Sequence, residues 1–181
     1  MLRRAVMTLA MCALVLTGCA AAPSSSRLTA ADLDEVAAAM AQSLQASDAL
    51  RLRSADAPGW VVTMHRPENL SSDMITVSER WYLVERLRSS LPLASLSRER
   101  NLMFVLPAEH AAEQSASQGA FTDRRPTHEL TASIRSVTRQ AELHRTDAYA
   151  IQFRLSEIDN GERVWSGEYF IKRAAFGRAW D

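Results

Sequence analysis

The chain is poor in several residue types on which specialised folds depend. Among 181 residues there are two cysteines, Cys12 and Cys19, too few for a disulfide framework or a CxxC metal site. Only six glycines are present, and none forms a phosphate-binding loop or a dinucleotide fingerprint. Lys172 is the one lysine, and 21 basic residues balance 21 acidic ones. With no basic surplus there is no electrostatic footprint for nucleic acid. The apolar run Ala5 to Leu16 ("AVMTLAMCALVL"), broken only by Thr8, is too short to span a bilayer as a helix.

That run follows Arg3 and Arg4, and a basic start ahead of a short apolar core is the pattern of a secretory signal peptide. The leader ends in Leu16-Thr17-Gly18-Cys19, which resembles the bacterial lipobox. That resemblance implies diacylglyceryl transfer to the Cys19 thiol, cleavage before it and acylation of the new amino group. Several acyl chains, at about 0.8 kcal/mol per buried CH₂, anchor far more firmly than one. Ala20 follows the cysteine rather than aspartate. By analogy with Gram-negative lipoproteins, this implies the outer membrane, with the chain facing the periplasm. Cys12 leaves with the leader.

The rest, 47% apolar and 23% charged over the whole chain, has the composition of one folded domain. The expected division is 1–18 signal peptide, 19–28 lipidated cysteine and short tether ("AAPSSSR"), and 29–181 periplasmic domain. Thr29 with Asp32 three residues on is a capping-box start, and Leu33, Val36, Ala37, Met40 and Leu44 recur at helical spacing behind it. Trp60–Met64 reads as a strand, and 65–73 as a loop rich in turn formers. From Ser78 a second helix places Trp81, Val84, Leu87 and Leu91 on one face, with Pro92 marking its end or a kink. Leu102 to Leu106 ("LMFVL") is a continuous apolar run, as in a strand covered on both faces. A short third helix is expected after Pro107, then a loop to Pro126.

The last third alternates. Leu130, Ala132 and Ile134 share a face, as do Tyr149, Ile151, Phe153 and Leu155, and then Trp165, Tyr169 and Ile171. Asn160-Gly161 is a hairpin signal for a two-residue type I′ turn. Helix and strand alternation followed by three long antiparallel strands predicts one α/β (α+β) domain with a mixed sheet flanked by helices.

The chain nominates no catalytic residue, no metal ligand set and no cofactor. His65, His110, His128 and His144 lack metal-site spacing, and no G-x-S-x-G elbow activates a serine. Arg124 and Arg125 beside Pro126, with Arg98 and Arg100, are candidates for a basic partner-binding surface.

The order of features resembles a family. A lipobox and tether precede "ADLDEVAAAMAQSLQ", a strand, and a loop holding Asn69, Ser71 and Asp73. The "HELTASIRSV" strand and "FRLSEIDNGERVWSGEYFIKRA" close the pattern, with Ile158-Asp159-Asn160-Gly161, Val164-Trp165 and Lys172-Arg173 at the matching points. This is similar to the LpoB-type outer-membrane lipoproteins that activate penicillin-binding proteins. The resemblance implies a fold related to the N-terminal domain of TolB and to the curli secretion lipoprotein CsgG. It also implies a non-enzymatic binding module acting on a peptidoglycan synthase, with Asn69 as a partner-contact candidate in the family's Asn-x-[ST] loop. A structural or secretion-assembly lipoprotein of the CsgG type is the alternative. The expected partners are a membrane, through Cys19, and a penicillin-binding protein. No nucleic acid or small-molecule substrate is expected. One departure stands out: nine residues separate Cys19 from Thr29, an extended reach of about 30 Å, where known activators carry a long disordered segment.

Overall fold

The structure, a computed structural model, describes residues 25–105, 107 and 125–177. The leader, Cys19, Arg124, His110, Trp180 and the helix expected after Pro107 lie outside the described residues.

Helix α1 (Ala30–Ala46) starts at the expected cap. The Asp32 N–H donates to Thr29 Oγ1 at 3.3 Å, and the Thr29 N–H donates to the Asp32 carboxylate at 2.7 Å. These bonds satisfy donors that a helix start leaves free. Leu33, Val36, Ala37, Met40 and Leu44 are buried as the spacing requires. A short α2 (Asp48–Arg51) leads to β1 (Trp60–Met64). Helix α3 (Val77–Ser89) has its own capping box, built by Thr76 and Glu79, and buries Leu83, Val84 and Leu87. Trp81 is only partly buried against the core. Helix α4 (Leu93–Arg100) is one the sequence pattern did not suggest. Pro92 does not simply end α3; it is the N-cap of α4, where its fixed φ suits a helix start. Asn101, in the left-handed region at φ 47°, closes α4 and donates from its amide to the Ala57 carbonyl at 3.0 Å.

The strands form one mixed sheet. Among the described residues its order is β3-β1-β4-β5-β6, from β3 (Leu102–Val105), β4 (His128–Ala141), β5 (His144–Glu157) and β6 (Arg163–Phe176). Strand β1 runs parallel to β3 and β4, while β4, β5 and β6 are antiparallel. A two-residue strand β2 (Glu68–Asn69) lies inside the expected loop and pairs with β4 at Ser133 and Ile134, on the edge β4 also shares with β1. This is the expected α+β architecture in one domain. Among the described residues no helix is long and apolar enough to cross a membrane.

Two expectations need correction. The run at Leu102 does not make a strand buried on both faces. Strand β3 pairs only with β1 among the described residues, burying Leu102 and Phe104 while Met103 and Val105 are half-buried. The Asn160-Gly161 pair also does not make a two-residue turn. Five residues, 158–162, connect β5 to β6, and only Gly161 has a positive φ, 70°. Asn160 instead accepts the Glu162 N–H at 2.7 Å and donates to the Glu157 carboxylate at 2.8 Å, an Asx turn that leaves one left-handed position for glycine. The two-residue turn is Glu142-Leu143, between Ala141 and His144.

The helices cover one face of the sheet. Leu130, Ile134, Ile151, Phe153 and Leu155 are buried there at 2% exposure or less, with Met40 and Leu44 of α1 in the same cluster. Close approach of α1 to β6 depends on Gly167. A Cβ at that position would lie 2.7 Å from Trp165 Cζ2 and 2.8 Å from Met40 Sδ.

Candidate functional site

The alternation that buries Tyr149, Ile151, Phe153 and Leu155 continues backward onto Asp147, so β5 aims a carboxylate at the covered face. Asp147 is fully buried, and a buried charge persists only when paired and hydrogen-bonded. Arg145 Nε donates to it at 2.8 Å, Thr138 Oγ1 from β4 donates at 2.5 Å, and the Ser26 hydroxyl donates from the N-terminal segment. Arg145 also reaches Asp73 at 3.1 Å, and the Tyr149 hydroxyl donates to the other oxygen of Asp73 and lies 3.2 Å from the Ser26 carbonyl. Six residues from four segments thus close one network at the Glu142-Leu143 end of the sheet.

Burial alone would raise the Asp147 carboxyl. The hydrogen bonds from Ser26, Thr138 and Arg145, with the Arg145 charge, more than offset this and hold it below the ordinary 3.8. Burial, then the bond to Asp73, pushes the Tyr149 phenol well above 10. Neither group exchanges a proton near neutrality, which general acid–base chemistry requires. The network is a clamp: it ties the segment ahead of α1, through buried Ser26, to β4, β5 and the 69–75 loop. Among the described residues, tertiary contacts therefore reach back to Ser26, ahead of the cap of α1. A similar pair fixes α1, where Arg173 of β6 donates to the buried Asp32 carboxylate. Burial raises Asp32, and the Arg173 and Thr29 hydrogen bonds bring it below its ordinary value.

Asn69 builds its own loop. Its amide donates to the Asp73 carbonyl at 2.8 Å, while its side-chain carbonyl accepts from the Ser71 N–H at 3.0 Å and the Ser71 hydroxyl at 2.6 Å. These bonds place Asp73 in the clamp. Exposed Leu70 stands beside it. Arg125 lies elsewhere, with its side chain 89% exposed and 4.0 Å from an equally open Asp159. Asn69 pairs with Ile134, and Thr127 precedes β4. Arg125, two residues earlier still, is nine positions from Ile134, up to about 30 Å at ~3.3 Å per residue. Arg125 lines one pocket with Ser97 and Asn101, next in the chain to Arg98 and Arg100; Arg98 bonds back to Ala94 O at 3.3 Å, and Arg100 donates to the Arg51 and Arg53 carbonyls.

The described histidines remain separate. His65 meets Glu129 at 3.5 Å, His144 stacks edge-on with Phe176 at 4.8 Å, and His128 stacks on Trp60 at 4.0 Å. Arg53 covers Trp60 at 4.0 Å. Burial holds the His128 imidazole below its ordinary 6.5.

The opposite face of β4–β6 is open toward the Glu142-Leu143 end. The register sets Arg135 beside Ala150 and Phe170, Val137 beside Ala148 and Lys172, and Arg139 beside Thr146 and Ala174. Phe170 is 70% exposed and Val137 65%. Sequence reasoning found neither this face nor the clamp. For the clamp and for the Arg173–Asp32 pair a signal existed, since Asp147 and Arg173 fall in phase with the buried residues of their strands.

No protein-family model and no curated protein matches the chain. Solved structures do resemble it in chain path. The LpoB C-terminal domain from Salmonella enterica aligns over 77% of this chain and 98% of its own, at 16% identity and TM-score 0.46. The corresponding domain from Escherichia coli gives the same values. Lipoprotein GNA1162 from Neisseria meningitidis aligns over 65% of this chain and 84% of its own, at 19% identity and TM-score 0.39.

Proposed function

We propose that this chain is a lipid-anchored envelope lipoprotein, not an enzyme, that binds a peptidoglycan synthase of the penicillin-binding class and stimulates it. One observation carries the proposal: Ser26, seven residues after the lipobox cysteine, is buried and bonded to Asp147. Only six residues then separate the anchor from the domain, as expected of a module held at a membrane to meet a partner. The synthase as partner is supported by the likeness of Asn69-Leu70-Ser71, Asp159-Asn160-Gly161 and Val164-Trp165 to the activator family. Arg125, with Arg124 and the Asn69 loop, is the proposed contact surface. A separation of up to about 30 Å fits within one standard interface of about 800 Å² per partner.

The test is reconstitution. The mature lipoprotein, added to a purified bifunctional synthase from the same source, is expected to speed glycan polymerisation severalfold. Arg125→Glu, far from the core, is expected to reduce that gain without changing the melting temperature. Full stimulation by Arg125→Glu removes the assigned surface, and no stimulation by the wild type removes the synthase reading. A large oligomer assembling alone would point instead to a secretion-type ring.

A further inference from the structure

We propose that the open end of the β4–β6 sheet is a membrane-docking surface for anionic lipid headgroups. The inference rests on the lipid-anchor half of the reading above and not on the synthase. The clamp at Ser26 leaves six residues back to Cys19, an extended reach of about 20 Å. Ser26 is bound at Asp147, four positions from the Leu143 turn, about 13 Å along the strand at ~3.3 Å per residue. The Leu143 end is therefore the end of the sheet nearer the anchor.

The chemistry of that end selects the face. Val137, Leu143, Phe170 and Phe176 are exposed and apolar, and the register interleaves Arg139 and Lys172 among them. Arg135 lies beside Phe170, and the acidic groups nearby are Glu168 and Glu142. Apolar side chains that enter the headgroup region, ringed by cations that pair with anionic lipid, form the composition of an interfacial surface. The covered face at the same level holds the clamp, with Leu70 and Met74 exposed on the loop beside Asp73. Lys172, the chain's one lysine, sits within this face.

The experiment uses the lipidated full chain in vesicles. Ala174→Cys on the open face carries a fluorophore, and Asp56→Cys at the opposite end serves as control. Vesicles contain a brominated quenching lipid and either phosphatidylcholine alone or phosphatidylcholine with phosphatidylglycerol. Mass measurement of the mature N-terminus reports acylation independently. The label at Ala174 is expected to be quenched in phosphatidylglycerol vesicles, with the label at Asp56 unaffected. Arg139→Glu with Lys172→Glu is expected to lower the docked fraction ratio about 25-fold or more, at about fivefold per basic residue near an anionic surface. If that pair disturbs folding, Arg139→Gln with Lys172→Gln carries the same test. An anchored protein whose Ala174 label stays unquenched, or is quenched equally without phosphatidylglycerol, overturns the proposal. Shielding of the label in detergent as protein concentration rises assigns the face to a second copy and overturns it as well. A mass without acyl chains defeats the anchor alone. Co-sedimentation of that unacylated chain with phosphatidylglycerol vesicles then decides: binding abolished by the charge pair retains the surface, and no binding overturns it.

Discussion

The two ends of the β4–β6 sheet bury opposite chemistries behind one alternation. At the end nearest Asn160, the inward positions are Leu130, Ile134, Ile151, Phe153 and Leu155, packed under α1 and α3. At the end nearest Glu142, the inward positions become Thr138, Arg145, Asp147 and Arg173. The strand geometry is the same, but the covering is not. Helices supply apolar surface to the first end; the second is covered by the first turn of α1, the Ser26 segment and the Asp73 loop, which bring hydroxyls, carbonyls and carboxylates. A strand can turn a charge inward where whatever lies above it can complete the hydrogen bonds. The polar end is thus specific for one arriving segment, in a way that apolar packing is not.

Deletions at the two ends give the largest effects and break the comparison most directly. Phe153→Ala is expected to cost about 3–5 kcal/mol in urea unfolding, through lost transfer energy and a cavity. Asp147→Ala is expected to cost a similar ~3–5 kcal/mol, because Arg145 is left partly buried without its main partner. The routes differ, and removing residues up to Ser26 from the second variant tells them apart. Once the clamp is broken, that truncation should cost little more, whereas in Phe153→Ala it should cost its full amount. Equal truncation costs would mean that Ser26 and Asp147 are not coupled.

Acidification separates the ends in smaller steps. His128 is held below its ordinary 6.5, so the unfolded chain takes up the proton first, and stability falls as pH drops below about 6.5. Asp147 and Asp32 are held below 3.8, so their contribution is complete above that value and is lost as pH falls through their lower folded values. Denaturation midpoints should therefore show two phases: the upper removed by His128→Phe, the lower reduced by Asp147→Asn. A single phase unaffected by His128→Phe would show that the apolar end carries no proton-linked group.

Legibility followed the same division. The capped α1, strand β1 and the three alternating strands were readable because local periodicity and burial agree there. Helix α4 was missed because "LASLSRER" buries only Leu96, too little to give a periodic signal, and Pro92 reads as a stop when it is also a start. Strand β2 depends on β4, far along the chain, and nothing local marks two residues as paired. The clamp was half legible. Asp147 lies in phase with Tyr149, but Ser26 within "PSSSR" looks like tether, and only the fold brings it under Asp147.

Gly167 sharpens the comparison at the apolar end, since it sets how closely α1 settles on β6. Gly167→Ala is expected to lower stability by about 1–3 kcal/mol through overpacking against Trp165 and Met40. Adding Met40→Ala should return part of that loss, because it removes one of the two obstructing atoms. Thermal unfolding of the four proteins in this cycle gives the coupling, and purely additive costs would show that α1 does not rest on that glycine.

The smallest expected effect belongs to the open face, where a large residue should contribute almost nothing to the fold. Phe170 and Phe153 have the same side chain, one 70% and the other 1% exposed. Phe170→Thr keeps a side chain suited to a strand, so propensity changes little and what remains is loss of weak contacts with Ala150 and Arg135 across the sheet. An unfolding free energy within about 0.5 kcal/mol of wild type is the expected result in detergent-free solution at micromolar concentration. A cost above about 1.5 kcal/mol, growing with protein concentration, would show the face already buried between copies. In that event the sheet's open side would be a third packed region, and the contrast between its two ends would hold for the covered face alone.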